Sequence, residues 1–173
     1  MTSFATGHDP KNTISFQGEL GANSHLACRM VYPDMAVLPC TTFDDALSVV
    51  ENGDARLAMI PIDNSVAGRV ADIHHLLPQS GLFIINEHFL RVNHQLLAPK
   101  GAKLEGLREV HSHVHALSQC RNYIRSYNLA PGVHVDTAGA AREVAERNDP
   151  TVAAIASDLA AEIYGLDVLA AGI

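Results

Sequence analysis

Asp63, Asn64 and Ser65 place a carboxylate, an amide and a hydroxyl side by side, directly after the apolar run that ends at Ile62. Amide and hydroxyl hydrogens can bind the oxygens of a carboxylate ligand, and a carboxyl group can hold or release a proton. An acid beside an anion site is unfavourable unless it is protonated, orients a neighbour or faces away. A solvated turn explains Asp63 equally well, so both interpretations stay open.

Polar residues also recur at the other points where a predicted strand gives way to a predicted helix. They are Asn23–Ser24, Thr41–Thr42, Ser112, Thr137 and Ser157, in addition to Asn64–Ser65. Helix capping explains any one of them, because Ser, Thr and Asn accept hydrogen bonds from the free N–H groups of a first turn. Together they favour a ligand site, since helix starts attract anions and open α/β sheets bind ligands beyond the carboxyl ends of their strands. The sequence therefore predicts a small, anionic, oxygen-rich ligand.

Strand-like and helix-like segments alternate along the chain, which predicts an α/β fold with a largely parallel sheet. The predicted strands are 13–17, 35–39, 56–62, 82–92 with 93–99 as a possible continuation, 108–112, 132–136, 151–156 and 166–170. The predicted helices are 23–32, 41–52, 67–79, 115–127, 137–148 and 157–165.

Two sets of these elements, joined by the extended segment 82–92, suggest two lobes with a ligand cleft between them. The expected organisation is a loose arm at 1–12, a first lobe at 13–92 and a second lobe at 93–173. For the last predicted strand, 166–170, a return toward the first lobe stays open.

Composition limits the classes of partner. The 173-residue chain carries a formal net charge of −7 and has no basic run, which argues against nucleic acid. Its three cysteines have no C-x-x-C spacing, which argues against a disulfide framework or a thiolate zinc site. The start of the sequence does not resemble a signal peptide, and no apolar run reaches about 18 residues. We therefore expect a cytoplasmic protein with no membrane span.

The histidines suggest a competing metal site. His111, His113 and His115 occupy alternate positions and would share one face of a strand, where three imidazoles can bind zinc or nickel. The predicted strand ends near Ser112, however, which breaks the shared face. Capping, core and surface roles are the favoured interpretation of these histidines.

Five segments resemble segments of the prephenate dehydratase family, and they follow one another along the chain in the same order as in the family. MIPIDNSVAGRV resembles the P-I-E-N-S signature, and ISFQGELGANSHLAC resembles G-P-x-G-x-x-S through Gly18, Gly21 and Ser24. VHSHVHALSQC resembles S-H-x-x-A-L-x-Q-C, VDTAGAAREV resembles S-T-A-x-A-A, and AAIASDLAAEIYGLDVLAAGI resembles the segment that closes the catalytic domain. The resemblance covers about residues 13 to 173.

This resemblance implies a two-lobed fold like that of type 2 periplasmic binding proteins. It also implies a carbon–oxygen lyase that converts prephenate to phenylpyruvate in phenylalanine biosynthesis, without metal or organic cofactor. Family members usually form homodimers or higher homo-oligomers and carry a C-terminal ACT domain. By resemblance, the catalytic residues are Asn64, Ser65, Gln119 and Asp63, and the substrate-binding residues are Ser24, Ser112, His113, Thr137 and Ala138.

The sequence departs from the family pattern in several places. The 173 residues contain neither the T-R-F motif, whose Thr and Arg act on the leaving hydroxyl and on a carboxylate in the family, nor an ACT domain. We therefore expect this chain to bind prephenate weakly and to turn it over poorly or not at all. Asp63 replaces the family's Glu, Ala22 replaces a common Thr, and His115 replaces a common Gln. The alternative function is a small-carboxylate binding module of the same fold without catalysis.

Overall fold

A computed structural model describes residues 9–173, so most of the predicted arm at 1–12 lies outside the described residues. The chain divides into two compact units, one made of 9–18 and 24–90 and the other of 19–23 and 91–173. Residues Pro10–Asn12 form a 3₁₀ turn, in which the Asp9 carboxylate accepts a hydrogen bond from the N–H of Lys11.

The first unit is built on a three-stranded parallel sheet in the order β2-β1-β3. Its elements are β1 (Thr13–Gln17), α1 (Asn23–Val31), β2 (Ala36–Cys40), α2 (Phe43–Glu51), β3 (Leu57–Met59), β4 (Asp63–Asn64), β5 (Gly68–Arg69) and α3 (Ala71–Leu76). The central strand β1 is buried, with Ile14 and Phe16 among the largest side chains in the core. Helix α2 begins with a reciprocal capping box between Thr42 and Asp45, as the Thr at this position predicts.

Two predictions for this unit are wrong. The predicted helix 67–79 begins only at Ala71, because β4 and β5 form an antiparallel hairpin that includes residues 63–69. Segment 82–92 forms no strand, and Phe83, Ile84 and Phe89 are exposed. Its apolar, β-rich composition favours a strand, but a strand also needs a pairing partner, and none within 9–173 pairs with it.

The second unit contains a mixed five-stranded sheet in the order β10-β6-β9-β7-β8. Its elements are β6 (Gln95–Ala98), β7 (Glu109–His113), α4 (Val114–Gln119), α5 (Arg121–Ser126), β8 (Ala130–His134), α6 (Thr137–Arg147), β9 (Val152–Ala156), α7 (Asp158–Tyr164) and β10 (Asp167–Ala171). Strands β9, β7 and β8 are parallel, while β6 and β10 are antiparallel to their neighbours. The sheet is thus less parallel than predicted, and the last strand, β10, pairs with β6. The predicted helix 115–127 is divided into α4 and α5 at Cys120.

Residues Glu19–Asn23 dock onto helices α6 and α7 of the second unit. Arg142 binds both carboxylate oxygens of Glu19, at 2.6 and 3.0 Å. The Tyr164 hydroxyl donates to the carbonyl of Leu20 at 2.7 Å, and the Ser157 hydroxyl donates to the carbonyl of Gly21 at 2.6 Å. The hydrogen bonds from Arg142 lower the pKa of Glu19, so this carboxylate stays charged at more acidic pH than an ordinary glutamate.

Gly21 is required at the centre of this docked segment for two reasons. Its φ of +91° lies in the region that side-chain-bearing residues avoid. A Cβ added there would lie 2.9 Å from Cα of Ala160, and this backbone atom cannot move aside as a flexible side chain could. The second glycine of the G-x-x-G-x-x-S segment therefore serves close packing against α7.

We expect Gly21→Ala to lower the free energy of unfolding by about 2–4 kcal/mol, because it adds a backbone clash to the cost of positive φ. Gly165→Ala is the matched control, since Gly165 also has positive φ, at +67°, but open space around its Cα. The control is expected to lose only about 1 kcal/mol. Urea denaturation of both variants measures the difference, and equal losses would contradict the docking geometry.

Candidate functional site

The parallel strands of the second unit end at one edge of the sheet, called here the carboxyl edge. Strands β9, β7 and β8 reach it at Ala156, His113 and His134. The antiparallel strand β6 starts at the same edge, because Gln95 pairs with Ala156. The carboxyl edge therefore brings together His94, His113 and the starts of helices α6 and α7.

Ser112 is turned away from any ligand at this edge. Its side chain is fully buried, and its hydroxyl donates to the carbonyl of Ile155 on strand β9. Ser112 lies within β7 rather than at a helix start, so neither the predicted capping role nor direct substrate contact fits its position. In this structure it ties β7 to β9 and so fixes the carboxyl edge.

His113 is the N-cap of α4 and lies at the edge itself. Its Nδ1 accepts a hydrogen bond from the N–H of His115 at 3.3 Å, and the two imidazole rings lie 5.0 Å apart. Burial and then the neighbouring His115 lower the pKa of His113, while Asp136 opposes this change. A neutral ring whose Nδ1 accepts carries its proton on Nε2, so His113 can offer a neutral N–H donor.

Gln119, the last residue of α4, pairs with the histidine that precedes β6. His94 Nε2 lies 3.1 Å from Gln119 Oε1. Gln119 is exposed and His94 is half-buried, and the contact between them engages the oxygen of the Gln119 amide. No local sequence pattern indicates this pair, since His94 is an isolated histidine 25 residues away from Gln119.

Thr137 and Ala138 open helix α6, but the residue that caps the helix is Asp136. Its carboxylate accepts from the N–H of Gly139 at 2.7 Å, so the start of α6 already holds one negative charge. The side chain of Ala138 is fully buried, which leaves only its backbone for a ligand. Thr137 is half-buried and is the first residue of α6, which begins at the carboxyl edge. The predicted set of neutral caps is therefore incorrect at this helix.

In the first unit, Asn64 stabilises the turn of the β4–β5 hairpin. Its Oδ1 accepts from the N–H groups of Val66 and Ala67, at 2.9 and 2.8 Å. Asp63 accepts from the N–H of Asn64 at 2.8 Å, and Ser65 is exposed. Asn64–Ser65 is thus a hairpin turn and not a helix start. With Oδ1 occupied, only the Nδ2 hydrogens of Asn64 remain to bind a ligand.

Ser24, the remaining predicted substrate-binding residue, lies in the first turn of α1 and is half-buried. It follows the docked segment Glu19–Asn23 directly in the chain.

The thiols offer little nucleophilic chemistry. Cys28, Cys40 and Cys120 are free and buried. Burial raises the pKa of Cys28 to about 12 and that of Cys120 to about 11, so both are protonated at neutral pH.

Within residues 9–173, no three His, Cys, Asp or Glu side chains are grouped so that they could hold a metal ion. His111 instead contacts Glu109, with 3.1 Å between Nε2 and Oε2. None of the helices in the described part of the chain is long and apolar enough to cross a membrane.

Comparison with curated proteins identifies relatives over most of the chain. A bifunctional N-acyl-homoserine lactone acylase/prephenate dehydratase from Komagataeibacter europaeus is 49% identical over 156 residues, which cover 90% of this chain and 56% of that protein. An arogenate dehydratase/prephenate dehydratase 2 from Arabidopsis thaliana, described as chloroplastic, is 41% identical and covers 91% of this chain and 41% of that protein. The chain therefore spans about half the length of the curated relatives it matches.

Solved structures with the same fold include a prephenate dehydratase from Arthrobacter aurescens in complex with L-Phe. It is 33% identical and superposes with a TM-score of 0.86, covering 93% of this chain and 55% of that one. A structure described as GqqA, a novel type of quorum quenching acylase, is 48% identical with a TM-score of 0.89, covering 93% of this chain and 59% of that one. These likenesses confirm the predicted α/β fold class.

The family model for prephenate dehydratase matches residues 14–173, almost the whole chain. That match, together with relatives above 40% identity, confirms the resemblance that the motifs suggested, and the chain belongs to the prephenate dehydratase family.

Proposed function

We propose that this chain is the catalytic region of a prephenate dehydratase, which converts prephenate to phenylpyruvate, carbon dioxide and water. The observation that carries the proposal is the carboxyl edge, where His113, Thr137 and Gln119 offer N–H and O–H donors. Prephenate is a dianion with a ring hydroxyl, so neutral donors suit both its carboxylates and its leaving group.

The chemistry needs little more than orientation and a proton. The ring carboxylate leaves as carbon dioxide, and the electron pair of that C–C bond enters the ring. The C–O bond breaks at the opposite carbon, and the departing hydroxide takes a proton to become water. Because the product ring is aromatic, the enzyme mainly fixes the dianion and donates a hydrogen bond or a proton to the hydroxyl.

Local groups, and not net charge, must attract the substrate. The chain carries a net charge of −7, and Asp136 adds a carboxylate at the start of α6. Thr137 follows Asp136 directly in the chain, and His113 is close enough for the Asp136 charge to act on its pKa. These two side chains are the proposed neutral donors at this helix start. Asn64 and Ser65 on the first unit are proposed to add donors of their own, and the two sets can be tested separately by mutation.

Several finer statements follow from the family resemblance. They are a place in L-phenylalanine biosynthesis, a homodimeric or larger whole enzyme, catalytic roles for Asn64, Ser65, Gln119 and Asp63, and substrate contact by Ser24, His113, Thr137 and the backbone of Ala138. A cytoplasmic location is proposed from the sequence itself. For Ser112 we propose a positioning role only, since its buried hydroxyl is bound to Ile155.

Two relatives' names indicate the competing substrates. Arogenate carries an amino group where prephenate has a keto oxygen, and the Arabidopsis relative is named for both. The Komagataeibacter relative is also named as an N-acyl-homoserine lactone acylase. Burial keeps the Cys28 and Cys120 thiols protonated, so neither is suited to act as a nucleophile in acyl transfer. Prephenate is the proposed substrate because the prephenate dehydratase family model matches residues 14–173.

The direct test measures binding by calorimetry and product formation by the absorbance of phenylpyruvate. Prephenate, arogenate and an N-acyl-homoserine lactone are offered separately to the 173-residue chain. We expect weak prephenate binding and slow turnover, because the 173 residues contain no T-R-F motif.

If the chain binds prephenate but shows no turnover even when a segment with the T-R-F motif is added to it, the binding-module alternative is supported. No binding at millimolar prephenate would contradict the proposal. Rapid turnover by the 173-residue chain would refute the expected need for T-R-F.

Asn64→Asp tests the amide of the hairpin turn. The new carboxylate keeps the oxygen that accepts from Val66 and Ala67, but it removes the Nδ2 donor and adds a negative charge. We expect a loss of prephenate affinity of about tenfold or more, with the melting temperature unchanged.

Asn86→Asp is the matched control, because exposed Asn86 also accepts a backbone N–H, that of Glu87, through Oδ1. It should leave both affinity and stability unchanged. If Asn64→Asp binds prephenate as tightly as the control does, Asn64 takes no part in the site.

A further inference from the structure

We propose that His94 is a positioning residue that orients the side-chain amide of Gln119 toward substrate binding. This inference rests on the proposed function for its substrate and on the structure for its geometry. His94 itself need not touch the ligand.

The atoms of the contact fix the roles of both partners. Gln119 Oε1 can only accept a hydrogen bond, so His94 Nε2, 3.1 Å away, must carry the hydrogen. Either the neutral Nε2–H tautomer or the imidazolium can donate in this way. The contact therefore occupies the oxygen of the amide and leaves its two N–H groups as the available donors.

Both partners are attached to well-anchored backbone. His94 directly precedes β6, and its carbonyl accepts from the N–H of Ile173 at 3.1 Å. Gln119 ends α4, whose Ala116 and Leu117 are buried in the core of the second unit. The pair thus joins the residue before β6 to the last residue of α4, 25 positions later in the chain, at the carboxyl edge.

Orientation matters here because a glutamine amide has two unlike ends. A free amide can rotate and present either its oxygen or its nitrogen, and an oxygen facing a carboxylate is repelled. By holding the oxygen, His94 selects the donor face for an anionic group. Loss of His94 should therefore weaken binding through Gln119 and not through any other residue.

The test is a double-mutant cycle on prephenate affinity, measured by calorimetry. His94→Leu is expected to weaken binding about fivefold, the value of one neutral hydrogen bond. His94→Gln should stay within about twofold of the unaltered chain, since its amide nitrogen can replace Nε2. In a Gln119→Ala background, His94→Leu should have no further effect. His75→Leu, at an exposed histidine on α3, is the control and should change nothing.

A side-chain amide spectrum of ¹⁵N-labelled glutamine separates this inference from the proposed function. Without ligand, His94→Leu should shift the Gln119 signal, and His75→Leu should not. If prephenate fails to bind the unaltered chain, the proposed substrate is wrong, and the spectrum still decides whether the pair exists. An unchanged Gln119 signal in His94→Leu, or an equal affinity loss with and without Gln119, overturns the inference.

Discussion

The proposed site depends on the parallel pairing of β9, β7 and β8, because parallel strands must end at the same edge of a sheet. The buried hydroxyl of Ser112 reinforces that pairing by donating to Ile155 across β7 and β9. From this constraint follow the places of His113 and of the starts of α6 and α7. The antiparallel strand β6 then brings His94 to the same edge, since its first residue pairs with the last residue of β9. Donors from separate elements can contact one ligand only because those elements meet at the carboxyl edge.

The second constraint on the structure is the docking of Glu19–Asn23 onto helices α6 and α7. These residues follow β1 in the chain, yet they pack with the second unit through Arg142, Tyr164 and Ser157. Ser157 serves twice, because its oxygen caps α7 through Ala160 while its hydrogen binds the carbonyl of Gly21. The absence of a side chain at position 21 permits the close approach, so a glycine in a sequence motif is explained by packing and needs no direct part in chemistry.

Most of the fold could be predicted from the sequence, and the errors have physical causes. Strands such as 13–17 and 151–156, with their flanking caps, are encoded locally by apolar β-forming runs and polar helix starts. The helix predicted from residue 67 fails because Asn64 prefers to accept two N–H groups in a hairpin turn. Ser112 and Thr137 were wrongly predicted to cap helices, because sequence does not indicate whether a hydroxyl faces a neighbouring strand, or which of two adjacent polar residues caps a helix. The His94–Gln119 contact joins distant parts of the chain and carries no local signal.

The central claim is that the carboxyl edge of the second sheet receives the substrate. Titration of the ¹⁵N-labelled chain with prephenate, followed through its backbone amide signals, tests that claim most directly. The account predicts that the largest shifts occur at His94, His113 and Thr137, with Gly101 and Asp149, which lie near the other ends of β6 and β9, unaffected. Shifts concentrated at that opposite edge, with none at His113 or Thr137, would contradict it.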